Sequence, residues 1–223
     1  TAAWTGCRWG ELAALQRHNT HLQDRVITID PDTGALKETA HRRWLGPPKT
    51  PASARTITLP AFLATLLKHH LDTHDSTVVF PNNTGGFLWR HTWLPRTFNP
   101  AFDGTTGHQS ALRTHPIRPG LTFHQLRHSH KTWLIAAGIP EIAQARRLGH
   151  RLDQRVIETY SHVADDVEIR IQTALKHAWL DARHTIARHP TPPPVSHRAG
   201  KIRRNLTPPA PRSDSQVHIH HAA

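Results

Sequence analysis

The runs that read as strands all lie before Pro60, and beyond it the chain reads almost entirely as helix. "RVITI" (25–29), "DPDTG" (30–34) and "LKETAHRRWL" (36–45) read as strand, turn and strand, because β-branched residues flank a Pro-Asp-x-Gly turn. A second turn, "GPPKTPASA" (46–54), leads to a third strand, "RTITL" (55–59), so a small antiparallel meander is predicted with Lys49 in its second turn. Upstream, "TGCRWGELAALQRHN" suits a short helix starting near Trp9. Downstream, "PAFLATLLKHHLDTH" has apolar residues at 62, 63, 66, 67 and 71, the spacing of one helical face, with Pro60 placed to open it. Further helices are predicted at about 91–102, at 123–137 ending at Gly138, at 140–148, at 153–160 and at 164–186, with a loop over 104–120. The fold class is α+β: a mostly helical domain with one small antiparallel three-stranded sheet.

Near residue 187 the texture changes. Residues 188–223 hold repeated prolines ("HPTPPPVSHR", "LTPPAPRSD") and almost no apolar periodicity, a composition that cannot bury enough surface to fold. The domain is therefore read as 1–187 and the remainder as a disordered basic tail. Charge points to a partner. Lys plus Arg is 28 against 16 Asp plus Glu, a net +12, and without 183–223 the body still carries 21 against 15. A polyanion is the first expectation, with nucleic acid ahead of an acidic membrane surface. No apolar run is long enough to span a membrane and no signal segment is visible, so a soluble, cytoplasmic protein is expected. The single cysteine, Cys7, excludes a disulfide framework and a Cys-based zinc site. The chain contains no methionine and begins at Thr1, so it is not expected to be a primary translation product.

Candidate chemistry is densest in "LTFHQLRHSHKTWLIAAGIPEIAQARRLGHRLDQRVIETYSHV" (121–163). His124 and Arg127, three apart on a predicted helix, share one face and can converge on one ligand. Guanidinium is an always-charged fork for phosphate oxygens, and imidazole exchanges a proton near neutral pH. Taken singly, a His-x-x-Arg is more often a solvated helix face, His150 after Gly149 a loop residue, and Tyr160 a packing residue. His124, His128 and His130 fail as a metal set, since His130 projects away from the other two and no cysteine joins them.

Taken together, these residues resemble a family. His124-x-x-Arg127, then Leu148-Gly149-His150 twenty-three residues after Arg127, then Tyr160 ten residues further on, resemble the catalytic signature of the tyrosine recombinases, the phage integrase family. "TGCRWGELAAL" resembles the family's first arginine box, with Arg8 as the catalytic arginine and Glu11 as the acid after it, and "PPKTPASARTITLP" resembles its lysine-bearing β-turn, with Lys49. The likeness runs over about residues 5–163.

The resemblance implies a site-specific recombinase or integrase that cleaves and rejoins double-stranded DNA through a 3′-phosphotyrosyl link to Tyr160, without metal or other cofactor. A phenol that stays bound to phosphate conserves the bond energy for rejoining. Arg8 and Arg127 would stabilise charge on the non-bridging oxygens, Lys49 would protonate the leaving 5′-oxygen, His124 would help move the tyrosine proton, and His150 would hydrogen-bond a phosphate oxygen. Glu11 either orients an arginine from behind or makes an ordinary i,i+3 ion pair. Such enzymes assemble as tetramers on DNA, and Val167, Ile171, Leu175 and Trp179 form a stripe for packing in cis or onto a neighbouring protomer. The family's N-terminal clamp domain is expected to be missing, since Arg8 comes so soon after Thr1. A type IB topoisomerase-like enzyme is the nearest alternative in the same chemistry, and a non-catalytic DNA-binding remnant the alternative from another class.

Overall fold

Strand pairing in the computed structural model, which describes residues 1–105, 115–151 and 165–188, departs from a simple meander. β1 (Thr20–His21) and β5 (Arg55–Thr58) flank β2 (Val26–Ile29) in one antiparallel three-stranded sheet, while β3 (Ala35–Glu38) and β4 (Arg43–Gly46) form a separate two-stranded one. The stretch 36–45, expected as one strand, is therefore a hairpin. Its centre cannot stay extended: the Thr39 amide donates to the Arg42 carbonyl at 2.9 Å and the Thr39 hydroxyl receives the Arg42 amide at 3.2 Å, closing a turn on polar residues. The strand expected third lies directly against the first instead, with Ile27 opposite Ile57, and both side chains are buried.

The remaining elements are helical. α1 (Ala2–Thr5) and α2 (Trp9–Ala14) precede the sheets and α3 (Ala61–Leu71) comes after them, starting directly after Pro60 as expected. A continuous helical run of α4 (Arg90–Trp93), a π-helical turn (Leu94–Phe98) and α5 (Asn99–Asp103) comes next. Then come α6 (Phe123–Ala136), α7 (Glu141–Leu148) and α8 (Asp165–Arg188). The α+β class holds, with helix dominant. The expected helix at 153–160, the middle of the 104–120 loop and the tail beyond Arg188 lie outside the described residues.

Two larger apolar cores hold these elements together. The first joins Ile27, Ile29, Ile57 and Leu59 to Leu12 and Leu15 at the end of α2 and to Leu63 and Leu67 of α3. The second joins Leu134, Ile139 and Ala143 to Ile171 and Leu175 of α8. Trp179, one turn further along α8, stacks on Phe62 of α3 at 4.7 Å, and Trp4 stacks on Trp133 at 4.6 Å. The stripe Val167, Ile171, Leu175 and Trp179 is thus engaged within its own chain. Among the described residues, no helix is long and apolar enough to cross a membrane.

Candidate active site

Arg8 is the N-cap of α2, and Glu11 completes the cap by accepting the Arg8 amide at 3.0 Å. The same carboxylate binds Arg8 Nη1 at 2.7 Å and Arg55 Nη2, at the start of β5, at 3.0 Å. Glu11 is 2% exposed. Burial pushes its pKa up, but Arg55 and Arg8 outweigh that and hold it below the usual carboxylate value. Glu11 is therefore a shared buried anion between two guanidiniums, more than a local i,i+3 pair. Arg55 extends the tie: Nε donates to the Arg147 carbonyl at 2.7 Å, on the last turn of α7.

Arg127 lies on the inward stripe of α6, with His130 and Leu134. Its Nη1 donates to the Gly6 carbonyl and its Nη2 to the Leu148 carbonyl, each at 2.5 Å, so one guanidinium joins the segment before Arg8 to the Leu148-Gly149-His150 corner. Burial, then the neighbouring Arg8, lowers its pKa to about 10, and it stays charged at neutral pH. At the corner, Gly149 is left-handed (φ 64°), and a Cβ there would lie 2.8 Å from Ser53 Cα and 3.0 Å from the Ala52 carbonyl. Gly149→Ala is expected to cost about 2–4 kcal/mol, from strain plus a collision with backbone. The urea midpoint should fall accordingly, and an unchanged midpoint would show that the corner yields without cost.

His150 comes directly after that corner with its amide on the Ala145 carbonyl at 2.9 Å and its ring exposed; His124 is exposed in the first turn of α6. Both imidazoles are held below their ordinary pKa, by partial burial first and then by nearby cations. For His124 these are His128, Arg127, Arg8 and Arg90; for His150 they are Arg127, Lys131, Arg8 and Arg55. Arg8 and Arg127 act on both rings, so four of the expected residues share one electrostatic neighbourhood. Arg8 and His124 also line one open cleft of about 1210 Å³ with Lys37, Arg90, Trp9 and Trp44. Lys49 is exposed in the bend after β4, next to Thr50, whose hydroxyl is 2.9 Å from Ser53 Oγ. Tyr160 lies outside the described residues.

Sequence reasoning missed Ser53 and Arg55, which stand inside the lysine-bearing segment, and also a buried His130–Arg147 pair. His130 Nδ1–H donates to the Ala3 carbonyl at 2.9 Å, and Nε2 receives Arg147 Nε–H at 3.1 Å. Arg147 continues to the Thr58 carbonyl at 3.1 Å and to Glu168 of α8 at 3.4 Å. Burial and then Arg147 push the His130 pKa down to about 3. The unfolded chain gains this proton below about 6.5 and the folded chain only near 3, so the stabilisation is complete above about 6.5 and is lost as pH falls towards 3. The expected slope is about 1.4 kcal/mol per pH unit. His130→Gln should bind one proton fewer on unfolding in that window; equal slopes in urea titrations at about pH 6, 5 and 4 would refute this. No group of three His, Cys, Asp or Glu among the described residues is placed to hold a metal ion.

Comparison with known proteins bears on the family and the fold. Residues 2–166 match the model of the phage integrase family. The chain is 27% identical over 183 residues to the integrase of Staphylococcus phage L54a, covering 78% of this chain and 49% of that protein. It is 29% identical over 181 residues to the prophage integrase IntR of Escherichia coli (strain K12), covering 74% of this chain and 42% of that protein. It thus spans less than half the length of these curated relatives. Among solved structures, the Tn1549 transposon integrase in complex with transposon right end DNA superposes with a TM-score of 0.51 at 19% identity, over 84% of this chain and 56% of that one. At that identity the likeness is one of fold.

Proposed function

Because this chain belongs to the phage integrase family, the tyrosine recombinases, we propose that it cleaves and rejoins double-stranded DNA through Tyr160. The observation that carries the proposal is the Arg127 guanidinium, which ties the Gly6 carbonyl, two residues before Arg8, to the Leu148 carbonyl, two residues before His150. Three segments distant in sequence bring a cationic site together beside one cleft, which suits a phosphodiester. The Tn1549 integrase, similar in fold, was solved bound to DNA.

In the proposed step the Tyr160 oxygen bonds to phosphorus, the bond from phosphorus to the 5′-oxygen breaks, and the phenolic proton passes to His124. Lys49 returns a proton to the leaving oxygen. With burial, His128, Arg127 and Arg8 lowering its pKa, His124 is neutral at neutral pH and able to accept a proton. Arg127 already gives one hydrogen from each Nη to a carbonyl, so a second hydrogen on each Nη and the Nε–H remain for phosphate oxygens. His150 would supply a further donor to the same phosphate. No step requires a metal, since fixed guanidiniums supply the positive charge. The active assembly would be a tetramer on DNA, and in the single chain the stripe from Val167 to Trp179 packs in cis.

The test is a nicked duplex whose cleavage releases a short fragment, so that rejoining is prevented. The unaltered chain is expected to form an adduct that survives denaturant and disappears on protease digestion. Binding of the duplex without an adduct would favour a DNA-binding remnant. Relaxation of supercoiled DNA of any sequence would favour the topoisomerase-like reading.

A further inference from the structure

Ser53 is fully buried, which is unusual for a hydroxyl flanked by an exposed turn, and its contacts join three segments of the proposed site. Its Oγ receives Arg8 Nη1–H at 2.9 Å, lies 2.9 Å from Thr50 Oγ1, and lies 3.4 Å from the Gly149 carbonyl. Its own carbonyl accepts Arg55 Nη1–H at 2.6 Å. From this geometry we propose that Ser53 is a positioning residue for strand cleavage, whose hydroxyl sets the Arg8 guanidinium in register with the Lys49 turn and the Gly149–His150 corner; the proposal rests on the cleavage function proposed above.

A count of hydrogens supports the role. A guanidinium only donates and a carbonyl only accepts, so Ser53 must accept from Arg8 and its one hydrogen is what can reach Gly149. Thr50 then donates to Ser53, and every lone pair and proton of the buried hydroxyl has a partner. On the arginine side, Nη1 gives its two hydrogens to Glu11 and to Ser53, which leaves Nη2 and Nε–H for a phosphate. Glu11 alone would hold Arg8 at one point, about which the planar group can turn. Ser53 adds a second point and fixes that plane. Because Thr50 adjoins Lys49, and Gly149 adjoins His150, the same hydroxyl couples the groups proposed as leaving-group acid and phosphate donor to the orientation of Arg8.

The test compares the full chain with Ser53→Ala and, as a milder perturbation that keeps the buried serine, Thr50→Val. On the nicked substrate, single-turnover cleavage by Ser53→Ala is expected to fall roughly 10- to 100-fold, with Thr50→Val changed in the same direction by less. Duplex affinity should stay within about twofold, because the guanidinium charge remains. A methylphosphonate at the scissile position removes the negative charge that Arg8 would offset, so on that substrate the gap between Ser53→Ala and the unaltered chain should close to about threefold or less. Equal losses on both substrates would mean general damage and overturn the proposal, as would no loss on either. A second readout does not depend on cleavage: in the unaltered chain the Arg8 Nη groups should give separate, slowly exchanging nitrogen resonances, and in Ser53→Ala, or in Thr50→Val if the alanine variant does not fold, these should broaden or merge. If the unaltered chain cleaves nothing, the proposed function fails, while unchanged Arg8 resonances in the variants would overturn the positioning role.

Discussion

Tyr160→Phe should fold and bind a duplex as the unaltered chain does, yet give no covalent adduct with a nicked substrate. The change deletes one oxygen and keeps the ring. The nucleophile is removed outright, and the expected loss is on the order of 10⁴-fold or more, comparable with removal of nucleophiles in other covalent enzymes. Interpretation is simplified because Tyr160 is the only tyrosine among the 223 residues. A phosphotyrosyl link can form nowhere else, and mass spectrometry of the protease-resistant remnant should find the nucleotide on the peptide containing that residue. Cleavage by Tyr160→Phe at the unaltered rate would sink the proposed chemistry.

The second large effect separates two arginines that look equivalent in sequence. Arg127→Ala is expected to fail in two ways. It leaves the Gly6 and Leu148 carbonyls without their donor in a buried place, costing about 2–4 kcal/mol of stability, and it removes transition-state charge, lowering cleavage roughly 10²- to 10³-fold or more. Arg8→Ala should lose cleavage to a similar extent, but with only about 1 kcal/mol of stability, because Glu11 keeps Arg55 as its partner. Urea midpoints measured beside cleavage rates distinguish the two. Equal stability losses would show that the carbonyl contacts of Arg127 contribute little.

The contrast between the two arginines illustrates what a sequence of this kind reveals. Arg8, His124, Arg127 and His150 were legible because their order and spacing form a pattern, and the structure brings these four into one neighbourhood. Helix starts at Pro60 and near Trp9 were legible from local chemistry. The strand order was not, because pairing β2 with β5 depends on a turn in the middle of 36–45, where the polar run between Leu36 and Trp44 holds no Gly or Pro to mark it. β1, at two residues, is too short to leave any pattern. The inward face of α6 was hidden for another reason. It carries Arg127 and His130 beside Leu134, and apolar periodicity assigns charged residues to solvent. Their burial is legible only once the carbonyls of residues 3, 6 and 148 and the Arg147 side chain are seen to partner them. Ser53 and Arg55 stood within the lysine-bearing segment, but nothing in their spacing marks a side chain that points to a partner about a hundred residues away.

The hydrogen bond from Arg127 to the Gly6 carbonyl spans 121 residues, and that from His130 to Ala3 spans 127. Contacts of such sequence separation form late, after local helices and hairpins, and during synthesis they must wait for the distal partner to leave the ribosome. A nascent chain ending before α7 would contain Arg8 and Glu11 with neither the Leu148 carbonyl nor His150 to complete the cluster. On the function proposed above, the cluster that would act on DNA is therefore completed only once α7 and His150 have been made.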